Sequence, residues 1–142
     1  MAQPEFIDAR GPRFSAGITT AVLVFALFTR LDVFIFWQLA VFAIAAFYSM
    51  PMSPYGILYR KVIQPRLKGP APLESSKPPR FAQLVGFGFV LVATIGAFTH
   101  MWALFTVATA ACIFAAFLNS AFDYCLGCKV YLLGVKLTTP KH

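Results

Sequence analysis

Two apolar blocks, Phe14 to Met50 and Phe81 to Tyr124, dominate the chain, and each is twice the ~20 residues a helix needs to cross a bilayer. A block of that length must fold back on itself, so each is expected to form a helical hairpin. In the first block, Thr29-Arg30-Leu31-Asp32 interrupts the run at its middle. Two ionised side chains at bilayer depth would cost roughly 5 to 7 kcal/mol, and a turn there returns both to water. The second break is softer: Gly96, then Thr99-His100, then Trp102, whose amphipathic ring suits the headgroup boundary. The expected spans are 15–28, 33–50, 81–98 and 102–122, with a cytoplasmic connector over 51–80.

Composition fits a polytopic membrane protein. Hydrophobic residues make up 59% of the 142, charged residues 12%, and Phe occurs 16 times, far from the usage of water-soluble domains. The fold class is therefore all-α: four transmembrane helices as two tandem hairpins, plus short cytoplasmic interfacial helices, forming a single integral membrane domain over 1–142. A secretory signal peptide is a poor reading of the first apolar stretch. No small-residue cleavage site precedes Arg30, and the chain turns apolar again after Asp32.

All twelve basic residues but Arg30 flank one face of this arrangement. The positive-inside bias then places both termini and the connector in the cytoplasm. The net charge of +7 is accounted for by that bias and by anionic lipid headgroups; no motif for nucleic acid accompanies it. No acid or base sits in the middle of a span, which argues against a proton relay or ion path. Gly-rich phosphate loops, nucleophile elbows and paired catalytic carboxylates are missing from the sequence, and no cofactor is identifiable.

The sequence repeats itself weakly. Pro12-Arg13-Phe14 opens one hairpin and Pro79-Arg80-Phe81 the other; Tyr55 with Arg60-Lys61-Val62 after the first resembles Tyr124 with Lys129-Val130 after the second. Each unit reads as a basic anchor, a hairpin and an interfacial tail, and two spans per unit make the copies parallel. Pro51-Met52-Ser53-Pro54 ends the second helix, Tyr55 to Ile63 has the pattern of a short interfacial helix, and Gln64 to Pro79 reads as an extended strap. Gln38, Asn119 and Ser120 are placed to bond across helices, Asp8 to pair with Arg10 or Arg13, and Asp123 with Arg80.

The residues that carry chemistry are Cys125 and Cys128, in Asp123-Tyr-Cys-Leu-Gly-Cys-Lys129, where the last apolar run meets its first cation. If the fourth span ran straight on, the thiols would sit at a helix C-terminus, which disfavours thiolate. If it ends near Phe122 and Asp123 caps a new interfacial helix, Cys125 falls in the first turn with Lys129 one turn later as a thiolate stabiliser. A helix terminus is worth about 0.3 to 1 kcal/mol against about 1.4 per pKa unit, so the dipole alone moves a thiol less than one unit. Three readings stay open: a redox or sulfur-relay pair, small residues packed at a bend, and a metal site built from Cys125 and Cys128. Tetrahedral zinc needs four ligands, and only the remote His142 or a symmetric partner could complete two thiols. Cys112, thirteen residues upstream, is expected to be a buried apolar residue.

Ser120-Ala121-Phe122 through Cys125-Leu126-Gly127-Cys128-Lys129-Val130-Tyr131, with Pro79-Arg80-Phe81-Ala82-Gln83, Asp8-x-Arg10 and Arg13-Phe14, resembles a family of small four-helix bacterial integral membrane proteins of unknown function. The resemblance implies four spans with a cytoplasmic cysteine pair, and an association with thioredoxin-like or rhodanese-type sulfur carriers; the family has no established activity. Two functions are therefore carried forward. One is a membrane-bound Cys-x-x-Cys dithiol exchanging electrons or sulfur with a soluble cytoplasmic carrier. The other is a non-catalytic accessory subunit of a larger membrane complex or homo-oligomer.

Overall fold

The computed structural model describes residues 6–8, 10–67, 73–122 and 126–138. Helix α1 (Arg10–Thr29) and α2 (Asp32–Phe47) form the first hairpin; α3 (Pro54–Leu58) continues into a π-helical turn (Tyr59–Ile63) and a 3-10 turn (Gln64–Arg66). Helices α4 (Lys77–Phe98) and α5 (Trp102–Phe122) form the second hairpin, and α6 (Leu126–Thr138) follows. Helices α1, α4 and α5 are long and apolar enough to cross a membrane; α2, apolar but only 16 residues long, is shorter. Its last turn closes at Ile44, whose carbonyl accepts from both Tyr48 and Ser49, so the helix stops short of the expected boundary at Met50.

Why the helices meet as they do follows from residue size. The faces turned inward carry mostly small or medium side chains at three- and four-residue spacing: Ala16, Thr19, Leu23 and Ala26 on α1, and Ala108, Thr109 and Cys112 on α5, where Phe105 is the one bulky member. Bulky aromatic and aliphatic residues point outward instead, Phe25, Phe28, Trp37, Phe98, Val107 and Phe114 among them. Small inward faces let backbones approach closely when no hydrophobic effect drives helices together, and an apolar outer belt suits lipid. At Gly96 the approach is so close that a Cβ would stand 2.8 Å from the Phe105 amide nitrogen.

The hairpins interlock. Helix α1 packs mainly on α5 and α2 on α4, while the contact within the first hairpin is the smaller. Arg13 donates from Nη2 to the Ser120 carbonyl (3.2 Å), and Arg80 from Nε to the Ala46 carbonyl (2.8 Å). Each arginine thus reaches from the start of one hairpin to the last turn of the other, where carbonyls lack intrahelical partners and a cation meets the negative end of the helix dipole. Phe14 packs on Tyr59 with ring centroids 5.7 Å apart, and Phe81 on Tyr131 at 5.6 Å. The two hairpin turns also match. Arg30 (φ 57°) and His100 (φ 59°) adopt the left-handed conformation, and the threonine before each donates to the carbonyl four residues back. The Pro-Arg-Phe repeat is therefore matched in the packing, with Tyr59 and Tyr131 in corresponding places; Tyr124, the expected counterpart of Tyr55, lies outside the described residues.

All the tails gather at the end opposite Arg30 and His100. There β1 (Phe6–Asp8) pairs antiparallel with β2 (Leu73–Ser75), Asp8 opposite Leu73. This short ribbon corrects the expectation of an all-helical chain with a featureless strap: the strap's far end is hydrogen-bonded to the N-terminal segment just before α4. At the other end Arg30 lies over the Trp102 ring, 5.0 Å from its centroid, a cation–π contact that ties the two turns together.

One expected inter-helix polar residue is central. Gln38 is fully buried; its Nε2 donates to Thr19 Oγ1 on α1 (3.2 Å), and its Oε1 accepts from the Tyr55 hydroxyl (2.7 Å), which in turn accepts from Trp37 Nε1 (2.9 Å). Replacing Gln38 by Leu strands the Tyr55 hydroxyl without an acceptor and is expected to destabilise the bundle by about 1–3 kcal/mol. Trp37→Phe, at the exposed rim of the same network, should cost less. Denaturant titration of the detergent-solubilised protein, followed by circular dichroism, measures both.

Candidate functional site

Helix α5 is described to Phe122 and α6 from Leu126. The break expected after the final apolar helix lies outside the described residues; Cys128 is the third described residue of α6, with Lys129 next to it. Cys125, Tyr124 and the expected cap Asp123 lie outside the described residues, so the placement of Cys125 in a first turn has no counterpart here. Cys128 is disulfide-bonded. Cys112 is a free, buried thiol on α5, as expected for a small apolar residue.

Gly127 explains how α6 is held. A Cβ there would stand 2.6 Å from Ala82 Cα, so this part of α6 is pressed against the start of α4, and Tyr131 one turn on packs at a tilt against Phe81. The absent side chain at Gly127 thus serves close approach. The rest of α6 is a surface helix with no buried residue. Val130, Leu133 and Leu137 repeat at helical spacing and are exposed, while Lys129 and Lys136, seven residues apart, share another face. That is the layout of a helix lying along an apolar–aqueous boundary.

A second constellation at this end was only partly legible. The Asp8 carboxylate accepts from the Arg10 backbone and side chain (2.9–3.0 Å), from the Tyr59 hydroxyl (2.7 Å) and from Gln64 Nε2 (2.9 Å). The Asp8–Arg10 pair was expected; Tyr59 and Gln64 were not, since they lie more than fifty residues away in sequence. Burial works to raise the Asp8 pKa, but the donors from Arg10, Tyr59 and Gln64 outweigh it and hold the carboxyl well below the usual range. Burial, reinforced by Asp8, pushes the Tyr59 hydroxyl up to about 12. Burial does the same to Tyr55, also to about 12. Neither tyrosine ionises near neutrality, so both serve as hydrogen-bond donors. The cluster borders a cavity of about 310 Å³ whose wall includes Tyr55, Arg60 and Met50.

A larger cavity, about 430 Å³, runs from Cys112 on α5 past Asn119 and Gln83 to Leu126 and Gly127 at the start of α6. Among the described residues no group of three or more His, Cys, Asp or Glu could hold a metal ion. His100, at the opposite end, is exposed and packs edge-on against Trp102 at 6.1 Å.

Residues 7–136 match the family described as Domain of unknown function (DUF4395). The chain belongs to that family. No curated protein and no solved structure matches it. The family match spans both hairpins and most of α6, so the interlocked bundle and its surface helix together make up the DUF4395 unit.

Two outcomes test this description. Gly127→Leu forces α6 off α4 without touching a thiol, and alkylation of Cys128 after mild reduction should become several-fold faster than in the parent protein, read by mass shift on gels. For Asp8, the folded pKa is depressed, so its stabilising contribution is complete above the ordinary aspartate value of about 3.9 and is lost as pH falls below that toward the folded value. Asp8→Asn should therefore lower stability by about 1–3 kcal/mol at pH 7. The gap between variant and parent should narrow below pH ~4, measured as unfolding midpoints across that range.

Proposed function

We propose that this protein is a four-span bacterial inner-membrane protein whose Cys125 and Cys128 form a dithiol–disulfide couple, exchanging electrons or sulfane sulfur with a soluble cytoplasmic carrier of the thioredoxin-like or rhodanese type. The observation that carries the reading is the disulfide at Cys128, on the surface helix that follows the last long apolar helix. A helix N-terminus favours thiolate, and Lys129 adds a cation beside it.

For the fourth crossing, α2 has to span with 16 residues, a rise of about 24 Å against a hydrocarbon core of about 30 Å. Support comes from its packing along α4, from the short Arg30–Leu31 turn that joins it to α1, and from the apolar Leu31, Tyr48 and Met50 that extend it at both ends. The collection of nearly all cations at the other end of the bundle supports cytoplasmic termini.

In the electron-exchange form of the reaction, the Cys125 thiolate attacks a carrier disulfide, forming a mixed disulfide and releasing one carrier thiolate. Cys128 then displaces the second carrier sulfur, leaving an intramolecular disulfide and a carrier dithiol. In the sulfur-relay form, Cys125 takes the outer sulfur of a carrier persulfide, giving a Cys125 persulfide and a carrier thiol. Both directions are reversible, set by the relative reduction potentials.

The alternative, a non-catalytic accessory subunit, predicts that the sulfurs are dispensable. Cys128→Ser removes the resolving thiol, and a mixed disulfide between Cys125 and a thioredoxin-like carrier should accumulate on non-reducing gels, while Cys125→Ser accumulates none. Thiols that never form a disulfide in cells, together with a double serine variant that supports normal growth and normal partner co-purification, would decide for the accessory role.

A further inference from the structure

The 430 Å³ cavity differs in chemistry from the smaller one. Its lining is apolar except for neutral hydrogen-bonding groups, and among the described residues no charged side chain borders it. Neither the Gln83 nor the Asn119 amide has a hydrogen-bond partner among the described residues. Thr19 is buried, and its oxygen accepts from Gln38, which leaves the hydroxyl proton free to donate into the cavity. Three uncharged donors from three helices, α1, α4 and α5, thus line a space walled mainly by apolar residues, alanine, phenylalanine and valine among them. One end of that space is closed by Gly127, the residue next to the disulfide-bonded Cys128.

We infer that this cavity binds a quinone, the ring carbonyls accepting from Gln83, Asn119 and Thr19 and the isoprenoid tail leaving along the α4–α5 face, and that the quinone is the electron acceptor of the cysteine pair. A phospholipid headgroup is the wrong chemistry, because a phosphate would be buried with no cation. A pure acyl chain is also a poor fit, because it would leave two amides and a hydroxyl unsatisfied at a cost of about 1–3 kcal/mol each. A planar apolar ring with two carbonyl acceptors satisfies both demands, and the volume lies in the range of small-molecule sites. The inference rests on the dithiol reading for its redox step: Cys125 and Cys128 thiols each lose one proton and one electron, the sulfurs join, and the quinone takes up both electrons and both protons to become the quinol. Electrons then pass from a soluble carrier dithiol through the pair into the bilayer.

The test uses the full-length protein in lipid nanodiscs with a decyl-chain benzoquinone and its azido photoaffinity analogue. Labelling should map to peptides carrying Gln83 and Asn119, and should persist in the Cys125→Ser/Cys128→Ser double variant, because binding needs no thiol. Gln83→Leu and Asn119→Leu, both small changes on apolar helices, should each weaken labelling about tenfold while circular dichroism stays unchanged. Under anaerobic conditions the reduced parent protein should convert one equivalent of quinone to quinol, followed by ultraviolet absorbance, as two alkylatable thiols disappear. Labelling spread along the outer belt and insensitive to both substitutions would mean the cavity holds only acyl chains and would overturn the inference. Exchange with a soluble carrier but neither binding nor reduction of the quinone overturns the inference alone. Quinone bound at Gln83 and Asn119 with inert cysteines keeps the site and removes the dithiol reading.

Discussion

Each hairpin of this protein is fastened to the other by an arginine that reaches the unsatisfied carbonyls at a helix end, Arg13 to Ser120 and Arg80 to Ala46. Carbonyls in a last helical turn lack intrahelical partners and carry the negative end of the helix dipole, so these contacts fix which helix ends lie together. Once they are made, the N-terminal ribbon, the α3 segment, the start of α4 and the whole of α6 must share one end of the bundle. The other end is left with two short turns, closed over each other by Arg30 on Trp102.

That division has a chemical consequence. The crowded end concentrates the charged and hydrogen-bonding groups: the Asp8 cluster, the Gln38–Tyr55 network and the disulfide-bonded Cys128. The two cavities lie on either side of Gln83, which lines both. The pseudo-twofold relation between hairpins makes the tails structural equivalents, each laid against the Phe of its own Pro-Arg-Phe through a tyrosine. Yet the tails differ. The first inserts Tyr55 and Tyr59 into the bundle and buries them, whereas α6 has no buried residue.

Much of this could be read from residue order because the signals are local. The apolar blocks and their interruptions at Thr29–Asp32 and Thr99–His100 depend on hydropathy and on nearby residues, and the structure has each of them. The end of α2 was misplaced by three residues because Tyr48, Ser49 and Met50 are compatible with a helix, and only the hydrogen bonds at Ile44 show where it closes. The pairing of β1 with β2 was invisible, since three-residue strands separated by more than sixty positions carry no periodicity to detect.

The sequence by itself determined that the chain forms two apolar helical hairpins with charged ends, and that a thiol pair falls just past the last of them, because hydropathy and charge act along the chain without reference to neighbours. The tertiary structure alone decided that α1 lies on α5 rather than chiefly on α2, that Asp8 is held by Tyr59 and Gln64, and that a cavity bordered by no charged side chain among the described residues reaches Leu126 and Gly127 of α6. Those outcomes depend on the order of helices around the bundle, which is set by how small faces fit together and by which arginine reaches which helix end. Neither is written in any stretch of sequence shorter than the whole.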